Sequence, residues 1–476
     1  MARINTNVAS MTAQRGLSRT QKQLSETLQR LSTGLRINRG ADDPAGLIAS
    51  EGLRSEISGI NQAIDNSQRA SNVIATTEGA LGEVANLLLN VKSLVVEAAN
   101  TGALSREEIE ANQLQVDSAI ESITRISNTA TFAGLKLLDG SLDYLTSGLV
   151  TTDITSLQIN QANFGTNPSI PVDVQVITSA RTAELQFRAS AISTTVVLEV
   201  NGNEGVDTLQ FLSGTSVSGI LAAVNRLTDQ IGVQAEYINS ANINSGITFR
   251  SIGYGSQNFV SVRAQSGTFG VVDVDGNARQ RTSGVDAVAT INGALTVGNG
   301  LNIKLNTATL DVDLTLDESF GVGNTSFSIT GGGALFQLGP RVMGSQQVNI
   351  GIQSVAASKL GDEVLGFLND VQTGGTSTLV GGNSQAASRI IEKAIKQVSV
   401  LRGRLGAFER NTLDTNRNSL SVALENVTAS ESSIRDADFA EETAALTRAQ
   451  ILTQAGTSVL ATANTTPQSV LSLLQG

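Results

Sequence analysis

The sequence predicts a multidomain α+β protein. Long coiled-coil-like helices from both termini form its inner domains, with a β-hairpin and an inserted mainly-β outer domain between them. Apolar and small residues recur at heptad spacing at both ends of the chain. The middle has Gly, Thr, Asp and Asn around short apolar runs, which is typical of strands and turns. A chain of 476 residues is also too long for one hydrophobic core.

The C-terminal stretch carries a seam of mostly small side chains. From Thr443 to the C-terminus the only charged side chain is Arg448. Small seam residues let a partner helix approach closely, and the Thr, Gln and Ser content argues against a transmembrane span. The stretch is therefore predicted to be a helix that needs a partner. Its seam residues, spaced three and four apart, are Ala445, Ala449, Leu452, Gly456, Val459 and Ala463.

A matching seam lies at the N-terminus. A helix over residues 4–35 would be about 48 Å long. Chain ends are normally frayed, so two apolar seams at the termini predict that the ends pair with each other and with other copies. Both seams are therefore predicted to form the subunit interface. The N-terminal seam residues are Leu17, Leu24, Leu28, Leu31 and Leu35.

Three further helical segments predict a rod. In the first, apolar positions from Leu81 to Ala98, with Leu88 among them, recur three and four apart. A capping box at Ser105 and Glu108 opens the second, and residues 398–434 carry the third. Because these segments come from both halves of the chain, they are expected to pack as one coiled rod. The change in composition at about 135–171 predicts a β-hairpin lying on the rod.

Breaks in the helical pattern set the predicted domain boundaries. Gly and Pro residues interrupt the chain at 40–46, and Pro168 and Pro171 precede the middle. The predicted domains are residues 1–42 with 437–476 (terminal helices), 43–171 with 341–436 (rod with hairpin), and 172–340 (inserted, surface-exposed, mainly β with one short helix).

Composition excludes several classes of function. The chain has no His and no Cys, so it lacks the commonest general base and any thiolate metal site. The run at residues 273–277 begins like a calcium loop but lacks the Glu that would close it. We therefore predict no enzyme, no cofactor and no metal. The net charge of −11 argues against nucleic acid as a partner, and no membrane partner is expected.

Both ends of the chain carry distinctive short motifs. One is the C-terminal run Ile434-Arg-Asp436-Ala-Asp438-Phe439, and another is the N-terminal run from Leu31 to Asn38. These motifs resemble those of bacterial flagellin, and the resemblance covers both ends of the chain, in the right order, and the middle only loosely. The other matching runs are residues 4–7, 42–46, 77–81, 404–407, 449–461 and 467–474.

This resemblance implies a structural subunit of the bacterial flagellar filament, the helical propeller for swimming. Such a chain would be extracellular and would leave the cell through the flagellar export apparatus, helped by an export chaperone. Its other partners would be further copies of itself, hook-associated proteins and cap proteins. A hook–filament junction protein, which shares helical ends of this kind, is the alternative.

The resemblance also implies a surface for an innate immune receptor of the Toll-like class. Leu88, Asn90 and Leu94 match that site in the first rod helix, and Gln115 lies near its second part. Strongly recognised flagellins carry Arg at the position of Asn90 and tend to carry Glu near that of Gln115. Charged hydrogen bonds contribute about twice as much as neutral ones, so weak recognition is expected.

Overall fold

The computed structural model describes residues 6–165, 167–307 and 309–475, and for 467–475 it describes the backbone only. Residue 4, where the first helix was predicted to begin, lies outside them. The chain divides into two compact units. The first contains residues 1–69, 338–342 and 412–476, and the second contains 70–337 and 343–411.

Helices occupy both ends of the chain, as the sequence predicts. Asn7 caps the first helix by accepting a hydrogen bond from Ser10 N (3.0 Å), and Gly34 ends it with φ of 73°. The predicted capping box of Ser105 and Glu108 is confirmed. The helices are α1 (Val8–Thr33), α2 (Pro44–Ala98), α3 (Arg106–Thr129), α4 (Val217–Arg226), α5 (Thr228–Ile231), α6 (Ser384–Phe408), α7 (Thr415–Arg435) and α8 (Phe439–Gln475), with a π-helical segment at Glu409–Asp414 between α6 and α7.

Among the described residues, α2 is the one helix long and apolar enough to cross a membrane by length and composition. Core helices of soluble proteins pass the same test, so this property by itself does not place α2 in a membrane. The predicted seam of α2, from Leu81 through Leu88 to Ala98, is buried.

The region between α3 and α6 is mostly β. Its strands are β1 (Thr131–Phe132), β2 (Leu135–Lys136), β3 (Tyr144–Ser147), β4 (Ile154–Ala162), β5 (Ile170–Thr178), β6 (Thr182–Phe187), β7 (Val196–Asn201), β8 (Val206–Phe211), β9 (Val233–Tyr237), β10 (Ile247–Tyr254), β11 (Phe259–Ser266), β12 (Arg281–Ser283), β13 (Val288–Ile291), β14 (Ala294–Val297), β15 (Asn302–Asn306), β16 (Leu310–Leu316), β17 (Asn324–Gly332), β18 (Ala334–Gln337), β19 (Gln347–Ile350), β20 (Gly361–Asp362) and β21 (Gly366–Phe367). The mainly-β middle of the chain is thereby confirmed.

Two five-stranded sheets enclose one hydrophobic core and form a β-sandwich. Their strand orders are β14-β13-β5-β17-β3 and β15-β16-β4-β19-β18. Alternate residues of β5, β16 and β17 point inward, among them Val174, Val312 and Phe327. This is the period-2 pattern of strands with one buried face.

A second core belongs to a module inserted between β5 and β13. Sheets β6-β10-β9 and β12-β11-β7-β8 enclose it together with α4. Phe187 and Phe269 stack inside it, with ring centroids 4.1 Å apart. In the run at 273–277, Asp273 accepts from Asn277 N (2.8 Å) and pairs with Arg279 (3.1 Å), so its oxygens are used within the turn.

The hairpin predicted at about 135–171 is wrong in its pairing. β3 pairs with β17, and β4 pairs with β16 and β19, so the two strands lie in different sheets. A short hairpin of β1 and β2 precedes them. The physical reason is burial: Ile154, Ile159 and Ala162 of β4 point into the sandwich core, which a two-stranded ribbon does not provide.

Arg404 of α6 joins the helix to the sandwich. Its Nη2 donates to the backbone oxygens of Asn160 (3.2 Å) and Gly351 (3.5 Å). Burial lowers the pKa of the Arg404 guanidinium, and Asp311 and Tyr144 counteract this. The side of the sandwich that contains β3 and β4 is therefore the side held against α6.

Candidate subunit interface

Within the first unit, α1 and α8 pack along each other in opposite directions. At one end, Asn7 Nδ2 donates to Ala463 O (2.8 Å). At the other, Arg30 Nη1 lies 3.0 Å from Glu442 Oε1. The termini therefore pair within one chain, as the two seams predict.

Small residues in α8 allow this close approach. A Cβ atom added to Gly456 would lie 3.3 Å from Leu17 Cδ1, so a larger residue at this crossing would displace the Leu17 side chain by a few tenths of an ångström. Ala449, about two turns earlier, is 6% exposed. The small-residue seam is thus the part of α8 that faces α1.

The pair of Arg30 and Glu442 is a contact that the periodicity argument missed. Glu442 is 9% exposed although it is charged. It lies in the first turn of α8, and Arg30 lies in the last turn of α1. Each charge therefore also complements the dipole of its own helix. The signal in the sequence is an acidic residue at the start of the C-terminal helix and a basic residue at the end of the N-terminal helix.

The predicted seam residues divide into two groups. Those half-buried or buried in the chain are Leu17, Leu24, Leu31, Leu35, Ala445, Ala449, Gly456 and Ala463. Leu28, Leu452 and Val459 instead remain 49%, 48% and 58% exposed. Two helices cover only one stripe of each other, so a wider apolar seam leaves a flank uncovered. We call these three residues the exposed flank.

The ends of α1 and α7 are tied together by backbone hydrogen bonds. Arg36 N donates to Arg435 O (2.7 Å), and Ala437 N donates to Gly34 O (2.9 Å). Asp42 accepts from the backbone of Arg39, which lowers the pKa of the Asp42 carboxyl. The chain therefore enters α2 and leaves α7 from one ordered junction.

The predicted receptor surface lies in the second unit and is only partly assembled. Asn90 and Leu94 of α2 and Gln115 of α3 line one shallow groove of about 420 Å³. Leu88 is 0% exposed, so its assignment to this surface is wrong. It belongs to the buried seam of α2, and Leu87 lines the groove instead. The seam spacing itself carried the signal that Leu88 is a core residue.

Comparisons with known proteins match both ends and the full length. The family model described as bacterial flagellin N-terminal helical region matches residues 4–143, and that of the C-terminal helical region matches 388–474. The B-type flagellin of Pseudomonas aeruginosa is 30% identical, over 99% of each chain. The flagellin of Salmonella typhimurium is 29% identical, again over 99% of each.

A solved hook-associated protein is a weaker match. The flagellar hook associated protein-3 of Legionella pneumophila is 12% identical, with a TM-score of 0.31, over 81% of this chain and 98% of that one. A likeness at this level carries no argument about fold or function. The full-length flagellin relatives favour a filament protein over a junction protein.

Proposed function

Because the chain belongs to the bacterial flagellin family, we propose that it functions through the exposed flank of its α1–α8 pair. The protein is a structural subunit that polymerises into the extracellular filament of the bacterial flagellum, the helical propeller for swimming. The alternative, a hook–filament junction protein, has less support. The exposed flank is the observation that supports polymerisation, because Leu28, Leu452 and Val459 remain about half exposed within one chain.

In this proposal, neighbouring copies bury the exposed flank, while the remaining seam residues hold α1 against α8. The helices would pack as a coiled-coil-like bundle, with small residues letting backbones approach. Each contact between two copies contributes a modest free energy, and the same contact recurs between all neighbouring copies along the filament. The interface set is therefore Leu17, Leu24, Leu28, Leu31, Leu35, Ala445, Ala449, Leu452, Gly456, Val459 and Ala463.

The partners follow from the same surface. Before assembly, Leu452 and Val459 are exposed to water, so an export chaperone with an apolar groove is expected to cover α8. The flagellar export apparatus would pass the chain outward, and hook-associated and cap proteins would contact the filament ends. We propose no enzymatic activity, since the contacts above are those of an assembling structural chain.

The domain boundaries that we propose differ from those predicted. Since β3 and β4 pair with strands beyond residue 171, the insert runs from 143 to 351. Ile352 N donates to Leu142 O (2.9 Å), so the chain leaves and re-enters the helical part at one point. The terminal pair, the helical part around α2, α3 and α6, and this insert are then the three domains.

We also propose weak recognition by a Toll-like receptor at the groove of Asn90, Leu94 and Gln115. Both amides replace charged groups of strongly recognised flagellins, and the apolar Leu94 remains. Hydrogen bonds to charged groups contribute about 1.5–3 kcal/mol, so losing one weakens binding by about tenfold or more.

Electron microscopy of purified chain tests the main proposal. The subunit should grow long filaments from sheared seeds, and it should be the dominant protein sheared from the cells that make it. A junction protein would instead be a minor component and would add a single short zone at a filament end. Soluble, folded protein that never forms filaments from seeds would contradict the proposed function as a filament subunit.

A further inference from the structure

The outward face of the β14-β13-β5-β17-β3 sheet carries a band of apolar side chains at one end. Val297 of β14 stands opposite Val288 of β13, and Val288 adjoins the bulge of β5 that contains Ile177. Val322 is the next member of the band, because the backbone oxygen of Gly323, the residue after it, accepts a hydrogen bond from Val176 N of β5 (2.8 Å). Val297, Ile177 and Val322 are 70%, 50% and 67% exposed. We call Val297, Val288, Ile177 and Val322 the apolar band.

Polar residues separate the band from the rest of the outward face. On β5 and β17, the outward positions nearer the middle of the sheet are Asp173, Gln175, Ser326 and Ser328. Leu295, 67% exposed, extends the band by one position along β14, and Leu145 of β3 is a separate exposed apolar residue, 65% exposed. A sheet with one solvated face normally alternates apolar inward and polar outward, so the band departs from that pattern.

The chain's own α6 leaves the band open. The strand order puts β3 at one edge of the sheet and β14, with Val297, at the other. Tyr144 of β3 accepts a hydrogen bond from Ala162 N of β4 (2.8 Å), and Arg404 of α6 donates to Asn160 O of the same strand (3.2 Å). Four strand spacings separate the two edges, about 19 Å, so Val297 lies far from α6, and β14 also presents the backbone groups of an edge strand.

We propose that the apolar band contacts a neighbouring copy of this chain in the filament. The inference rests on the proposed function, since polymerisation repeats the band on every subunit. Charge points to the same occupant. The chain carries −11 overall, and two acidic copies repel least where they meet through an uncharged surface. A contiguous exposed apolar surface is the usual mark of a contact site.

Because the sequence has no Cys, an introduced thiol can be labelled at one known position. Val297→Cys places the single thiol of the protein in the band. The variant is labelled with a benzophenone maleimide, assembled into filaments and irradiated. We expect covalent dimers in filaments and none in monomer at equal concentration, with the cross-linked peptide coming from a second copy. Ser326→Cys, exposed on the same sheet outside the band, is the matched control and should give few dimers.

A second pair of variants measures the strength of the contact. Val297→Lys should raise the critical concentration for assembly by about tenfold, since an exposed valine loses its burial in the filament. Ser326→Lys adds the same charge to the same sheet and should change it little. Both monomers should melt like the wild type, because both positions are exposed.

The outcomes separate the inference from the proposed function. Wild-type filaments without band dimers, or equal critical concentrations for the two lysine variants, overturn the inference and leave the filament function standing. Cross-linking only to an added cap or host protein also overturns it, because the occupant is then not a second copy. Wild-type chain that never polymerises overturns the proposed function, and the inference with it.

Discussion

Val459→Asp should block filament assembly and leave the isolated chain folded. Val459 is 58% exposed on the flank of α8, so the monomer can solvate a carboxylate there. The nearest charged residue on its own helix between Thr443 and the C-terminus is Arg448, 11 positions away (459 − 448). That separation is about 16 Å along the helix, beyond the Debye length of about 10 Å. No charged side chain of α8 therefore offsets the new anion at close range.

The magnitude follows from burial. A fully buried valine gains about 1.5–3 kcal/mol relative to an exposed one, and more than half of Val459 remains to be buried on assembly. Burying an unpaired carboxylate adds several kcal/mol of cost. A total of about 4 kcal/mol per subunit raises the critical concentration by about a thousandfold. The free energy of unfolding of the monomer should change by no more than about 0.5 kcal/mol.

The assay is sedimentation of seeded filaments over a range of chain concentrations, with urea unfolding of the monomer in parallel. Val459→Thr keeps the size and the neutrality of the side chain and should assemble at moderately higher concentration. Ser458→Asp adds the same charge at the next position, on a different side of α8. Normal assembly of Val459→Asp would refute the reasoning. An equal block by Ser458→Asp would show that any charge on α8 is harmful and that the exposed flank has no special part.

Further predictions concern the other parts of the chain. Deleting residues 143–351 with a short glycine linker should preserve helical circular dichroism and should still allow assembly, at a critical concentration raised by about tenfold or more because the apolar band is lost; a soluble, helical product that forms no filaments at any concentration would show that the insert makes required contacts. Removing residues 443–476 should abolish filaments while the second unit still unfolds cooperatively, and growth of the truncated chain would contradict this. Gln113→Leu should cost about 2–4 kcal/mol in urea unfolding, because it leaves two buried backbone partners unpaired; Gln113→Glu should cost no less, because its buried carboxylate would lie against Asp117 and the carbonyl oxygen of Val371, and an unchanged midpoint for Gln113→Leu would contradict this account of the two hydrogen bonds. Asn90→Arg should raise receptor activation by the monomer about tenfold in a reporter-cell dose curve, and no gain would refute the proposed groove.

Much of the helical part could be predicted because helix signals are local. Heptad spacing places Leu17, Ala449 and Gly456 on seams, and the capping box of Ser105 and Glu108 starts α3 where expected. These signals depend on residues within a few positions of each other. The sequence by itself therefore determined that both ends are helices with apolar seams in need of partners.

The tertiary structure alone decided which partner each position meets. Seam spacing does not distinguish Ala449, packed on α1, from Val459, left on the exposed flank, since that depends on where the neighbouring helix lies. Strand pairing also depends on which elements lie next to each other in the fold. β3 and β4 have partners more than 140 residues away in the chain. Turn composition near 135–171 suggested a local hairpin, but backbone hydrogen bonding between strands is indifferent to sequence distance. Burial in the shared sandwich core selected the distant strands instead.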